Sequence, residues 1–185
     1  MLEQLKQWDR ELFVYLNGLG IESYDNFWIT ITTIQNWIPL YLTFFILYFI
    51  SFHWKKALFT SLFILATALS TYGFTNLTKN FFLRLRPNNQ PEIADIIRIL
   101  QTPDNYSFFS GHSAVSAAAA LFFILSMKHK YPWIWVVLLW PLLFMLSRIY
   151  VGVHYPGDVL VGAAVGIIFG IIFFLFYERS GKRFI

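Results

Sequence analysis

Five long runs free of charged side chains divide this chain: Asn26 to Phe52, Ala57 to Thr78, Ser113 to Met127, Tyr131 to Ser147 and Val159 to Tyr177. A helix needs about 20 apolar residues to cross a bilayer, with about 17 at the low limit. The first run has room for one crossing near Trp37 to Phe52, and each of the others supplies one more. Ser113 to Met127 is short unless flanking residues extend it. The pattern predicts five crossings, or six if residues 24–35 also insert.

Before the first run the pattern changes. Leu5, Trp8, Leu12, Leu16 and Leu19 recur at three- and four-residue steps, with Glu3, Lys6, Gln7 and Arg10 between them. That is the periodicity of an amphipathic helix. It suits a helix lying in the membrane interface and equally one packed on the protein's own body. Charge alternates with apolar residues from the start, unlike a removable signal peptide. Pro87, Pro91 and Pro103 break the long polar segment from Arg84 to Ser110. Within it, Ile93, Ile96, Ile97 and Leu100 suggest a short amphipathic helix.

Composition agrees with the spans. Hydrophobic residues make up 57% and charged ones only 13%, roughly half the usual soluble share. The expected fold is all-α: a polytopic transmembrane helix bundle with an N-terminal interfacial helix, forming one domain over residues 1–185. Cysteine is absent, which excludes disulfides, thiolate catalysis and cysteine metal sites. The net charge of +4 does not point to nucleic acid, because the cations sit beside apolar runs. His53-Trp-Lys-Lys56, Lys128-His-Lys130, and Arg179, Lys182 and Arg183 fall on one side if the spans alternate. The positive-inside rule makes that side cytoplasmic in a plasma (inner) membrane. Gly162, Gly166 and Gly170 recur every four residues, as in close helix packing. Packing within the chain is the default; a dimer seam is the alternative, and the oligomeric state stays open.

Alternating spans place the chemistry-bearing residues at the opposite, extracytoplasmic level. Lys79 and Arg86 end the second span and its extension, and Ser110, Gly111 and His112 begin the third. Arg148 ends the fourth, while His154 and Asp158 begin the fifth. Ionisable groups at membrane depth are costly and usually functional. Lys79 and Arg86 are seven residues apart and would share a face if their helix continued; two cations on one face suit a phosphate. Arg84 is read as snorkelling at the helix end and is left out of the site. Ser110 can cap a helix whose free N–H groups attract anions, with Gly111 permitting close approach. Pro156 is placed to start the fifth helix. Asp158 could then fold back to His154 and fix its tautomer, freeing one ring nitrogen as nucleophile or base. His53 and His129, beside loop lysines, carry no such arrangement. Two histidines and an aspartate could in principle bind a metal, but the neighbouring cations would repel it. The expectation is a site with no metal and no cofactor.

These residues resemble three motifs of the type 2 phosphatidic acid phosphatase superfamily. Lys79, six intervening residues and Arg86-Pro87 are similar to the first. Phe109-Ser-Gly-His112 resembles the second, with Phe109 where the family usually has proline. Ser147-Arg148, five residues, His154, three residues and Asp158 resemble the third. The resemblance implies that His154 attacks phosphorus to form a phosphohistidine, oriented by Asp158. It implies that His112 protonates the leaving oxygen and then assists water. Lys79, Arg86 and Arg148, with Ser110 and the Gly111 backbone, would hold the phosphoryl oxygens, and the rate would be bell-shaped in pH.

The expected activity is metal-independent hydrolysis of a lipid phosphomonoester or pyrophosphate. The small chain favours undecaprenyl pyrophosphate or phosphatidylglycerol phosphate. The alternatives are a lipid A phosphatase, phosphoryl transfer to another lipid, a haloperoxidase and a non-catalytic transporter. The partners are the lipid substrate and the surrounding membrane lipids.

Overall fold

The structure is a computed structural model that describes residues 1–181, and it is helical throughout, with no strand among the described residues. Seven α-helices follow in order: α1 (Leu2–Gly18), α2 (Asp25–Thr32), α3 (Ile38–Ser51), α4 (Trp54–Phe82), α5 (Gly111–Met127), α6 (Leu139–Tyr150) and α7 (Pro156–Gly181). Short 3-10 turns precede α2, α3 and α6 and break the α4–α5 connection.

Among the described residues, four segments are long and apolar enough to cross a membrane: Ile34–Ser51, Trp54–Asn89, Pro132–Tyr150 and Pro156–Gly181. The protein is a multi-pass membrane protein. The remaining expected span, the third in chain order, is α5, which has 17 residues, or about 25 Å of helix against a hydrocarbon core of about 30 Å. It is also the most enclosed helix, with Ala114, Ala118, Ala120, Phe122, Phe123 and Ile124 all fully buried. The possible sixth span, residues 24–35, contains only a short helix, the eight-residue α2 between 3-10 turns, about 12 Å long.

Small side chains set α5 against α7. A methyl group added at Gly162 would lie 2.6 Å from the Ser110 carbonyl oxygen, and one at Gly170 would lie 3.0 Å from that of Ala118. The glycine stripe is therefore consumed by packing inside the chain. On α4 the buried Thr60, Thr67, Thr71 and Thr75 hydroxyls each donate to the carbonyl four residues back, which satisfies them where water is absent. Leu62, Leu69, Leu160, Ile168 and Leu175 face outward, as lipid-facing positions should.

The loop cations gather at one end of the bundle. Lys56 and Lys130, from separate loops, both lie over the Phe52 ring, at 4.9 and 5.1 Å. Lys182 and Arg183 lie outside the described residues.

α1 turns its predicted stripe outward: Leu5, Trp8, Leu12 and Leu19 are exposed. Docking uses the other face, where Phe13 and Asn17 are fully buried. The packed reading of α1 thus holds, through a face other than the predicted stripe. The expected amphipathic helix over Ile93–Leu100 does not form; only a 3-10 turn, Ala94–Ile96, appears. Its backbone is engaged elsewhere, because the Arg98 N–H donates to the Asn17 side chain (2.7 Å) and the Leu100 N–H donates to Val151 O (3.1 Å).

Candidate active site

At the end of the bundle opposite Phe52, the C-termini of α4 and α6 meet the N-termini of α5 and α7. Ser110 caps α5, its hydroxyl accepting from the Ser113 N–H at 3.5 Å and its own N–H donating to Asp158 O at 3.0 Å. The two helix starts are therefore locked together. α7 begins at Pro156, as expected for a residue without an N–H to lose.

Lys79 and Arg86 converge by a different route from the one expected. α4 stops at Phe82, and Leu83 adopts a left-handed backbone (φ 50°) that turns the chain out of the helix. The loop then brings Arg86 back. Lys79 Nζ donates to Tyr106 O at 2.5 Å. The Arg86 guanidinium donates to Asn105 O (2.7 Å), Asn105 Oδ1 (2.5 Å) and Val153 O (2.9 Å). Arg148 donates to Thr32 Oγ1 and to Gln101 Oε1 (3.2 Å), while its Nε is buried with no protein partner.

His154 is 1% exposed. Arg86 Nη1 stands 3.1 Å from its Nε2, and the Ser107 hydroxyl stands 3.2 Å from its Nδ1. Asp158 does not take the expected direct bond; its Oδ2 is 3.5 Å from Nδ1. Ser107 sits between them and donates to that Oδ2. Because the serine hydrogen points to the carboxylate, the serine oxygen accepts from Nδ1–H. That leaves the Nε2 lone pair facing Arg86. Burial, then Arg86, Arg148 and Lys79, hold the imidazole well below the ordinary histidine value of 6.5. These surroundings favour the neutral ring.

Asp158 is fully buried, and its Oδ1 accepts from Arg84 Nη1 at 2.6 Å. The snorkelling reading of Arg84 is corrected: the residue turns inward because two carboxylates, Asp158 and Asp9, compete with solvent for it. Ser107, Asn105, Gln101 and Thr32 were absent from the sequence reading. They lie in a loop without periodicity and on the short α2, so only the folded chain reveals them.

Lys79, Arg86, Gly111, His112, Arg148 and His154 line one cavity of about 760 Å³. His112 stands edge-on to Phe144, with ring centroids 5.2 Å apart. Away from the cations the cavity becomes apolar, walled by Tyr41, Phe44 and Phe45 of α3, Leu65 of α4, and Trp140 of α6. An anion-binding end joined to an apolar limb inside a membrane bundle fits an amphiphile with a phosphorylated head.

Such a bundle and site define a membrane-embedded phosphatase. The PAP2 superfamily model matches residues 58–182, and the chain belongs to the PAP2 superfamily; it is a membrane lipid phosphatase. It is 34% identical over 192 residues to the Lipid A 4'-phosphatase of Bacteroides thetaiotaomicron, covering 99% of this chain and 83% of the relative. It is 30% identical to the Lipid A 4'-phosphatase of Porphyromonas gingivalis, covering 100% and 79%. The fold is shared with the PAP2-type phosphatidylglycerolphosphate phosphatase from Bacillus subtilis, at a TM-score of 0.77 and 19% identity over 95% of this chain and 87% of that one.

Proposed function

We propose that this enzyme removes a phosphate from a sugar-headed acyl lipid of the lipid A type, at the extracytoplasmic face of the inner membrane. The observation that carries the substrate is the agreement with two lipid A 4'-phosphatases over essentially the whole chain, α1 included. It moves lipid A ahead of undecaprenyl pyrophosphate and phosphatidylglycerol phosphate, which small size alone suggests.

In the proposed reaction the neutral His154 Nε2 attacks phosphorus and the bond from phosphorus to the lipid oxygen breaks. His112 gives that oxygen its proton. His112 then takes a proton from water, whose oxygen attacks the phosphohistidine; inorganic phosphate leaves and His154 is restored. Lys79, Arg86 and Arg148, with Ser110 and the Gly111 N–H at the start of α5, hold the nonbridging oxygens as charge moves between attacking and leaving groups. Asp158, through Ser107, keeps the ring in its productive tautomer. No step calls for a metal.

The test is phosphate release by the purified protein in EDTA from lipid A, undecaprenyl pyrophosphate, phosphatidylglycerol phosphate and phosphatidate. The highest kcat/KM is expected on lipid A; a higher value on another lipid overturns the substrate assignment, and loss of turnover on chelation overturns the metal-free mechanism. For orientation, the cysteine-free chain allows single cysteines at Asn89 and His129. An impermeant maleimide should label only Asn89→Cys in intact cells lacking their outer membrane, and the reverse pattern refutes the sidedness.

A further inference from the structure

The family match begins at residue 58, so α1 lies outside it, yet the inward face of α1 bonds the groups that hold Asp158. Asp9 Oδ2 accepts from Arg84 Nη2 at 2.7 Å, and Arg84 Nη1 donates to Asp158 Oδ1 at 2.6 Å. Asp9 Oδ1 accepts from the Gly157 N–H at 2.7 Å. Gly157 belongs to the first turn of α7, the turn that carries Asp158. The Arg84 guanidinium also lies over the Tyr155 ring, 4.0 Å from its centroid, and Tyr155 packs edge-on against Phe13 of α1 at 5.4 Å.

We propose that Asp9 is a positioning residue for the reaction, holding Asp158, and through it His154, by way of Arg84 and the first turn of α7. The inference rests on the reading of His154 as nucleophile. Arg84 alone is an imperfect clamp, because its side chain is 26% exposed while that of Asp158 is fully buried. A carboxylate on its second nitrogen divides the planar fork between two acceptors and keeps it from swinging toward solvent. The same carboxylate caps α7, where a negative charge beside free N–H groups is favourable. Asp158 is thus fixed from two directions by one side chain of α1. The outward face of that helix, Leu5, Trp8, Leu12 and Leu19, is suited to the lipid surface. The lipid-facing side chains and the aspartate that holds Arg84 lie on opposite faces of one helix.

Full-length protein carrying Asp9→Asn, Asp9→Glu, Arg84→Gln, Arg84→Lys, Asp9→Asn with Arg84→Gln, or His154→Ala tests this. Asp9→Asn retains an acceptor for Gly157 but loses the charge that holds Arg84. Its kcat should fall roughly ten- to hundredfold, as when partners that orient a metal's ligands are removed, with KM for the lipid unchanged. Asp9→Glu should restore most of kcat, and the double variant should be no slower than Arg84→Gln alone. Parental kcat in Asp9→Asn, or fully additive losses, overturns the role of Asp9. Should Asp9→Asn not accumulate folded, Arg84→Lys carries the test: it keeps the charge without the fork, and parental kcat in it overturns the proposal. An inactive His154→Ala beside a parental Asp9→Asn removes only the Asp9 proposal, whereas turnover by His154→Ala removes the nucleophile assignment itself.

Discussion

His154 and Asp158 are joined through a third side chain. Nδ1 and Oδ2 stand 3.5 Å apart, and the Ser107 hydroxyl occupies the space, 3.2 Å from the histidine and bonded to the carboxylate. The orientation of the proposed nucleophile therefore depends on a loop residue. Ser107→Ala would leave Nδ1–H facing a longer gap and Asp158 short of one donor. The expected result is a kcat lowered roughly ten- to hundredfold, with KM unchanged because the bound lipid is not touched. Steady-state phosphate release checks it, and an unaltered kcat contradicts the relay.

The pH profile follows from the same surroundings. The neutral imidazole is the attacking form. Burial and then Arg86 depress its proton affinity, so activity persists as pH falls through the ordinary value of 6.5 and is lost only below it. The acid limb of kcat/KM should lie below that value. Arg86→Gln removes a cation and should move the limb upward in whatever activity remains. A limb at or above 6.5 in the parent contradicts the assignment.

Two glycines separate packing from propensity. A methyl group at Gly166 would collide with the Ala114 carbonyl oxygen and lie 2.9 Å from the Ala117 side chain, whereas one at Gly73 would meet nothing within 4 Å. Gly166→Ala should destabilise by about 1–3 kcal/mol, as overpacking does. Gly73→Ala, inside α4 with room for the methyl group, should instead stabilise by about 0.5–1 kcal/mol, the usual gain for Gly to Ala in a helix interior. Thermal unfolding in detergent measures both, and equal midpoints contradict the α5–α7 contact.

The legible parts of this protein were those with a period or a motif. Uncharged runs located α3 to α7, and the motif spacing singled out Lys79, Arg86, His112, Arg148, His154 and Asp158, which the fold gathers at one end of the bundle. What escaped depended on tertiary competition. Lys79 and Arg86 are seven residues apart, and that spacing suggested one continuous helix face, but Leu83 turns left-handed and the loop does the work instead. Ile93 to Leu100 has helical spacing, yet Asn17 and Val151 claim its backbone groups. Arg84 resembles any snorkelling arginine until α1 brings Asp9 to it. Ser107 sits in a stretch with no pattern at all, and its role exists only once α5 and α7 begin side by side.

Everything proposed for catalysis requires that phosphorus be transferred to one particular nitrogen. Rapid quench of the enzyme with ³²P-labelled lipid phosphate, followed by alkaline peptide mapping, reads this directly. The account predicts an acid-labile label on the peptide containing His154, formed and discharged at rates compatible with turnover and missing in His154→Ala. A label on His112, or continued turnover by His154→Ala, would contradict it.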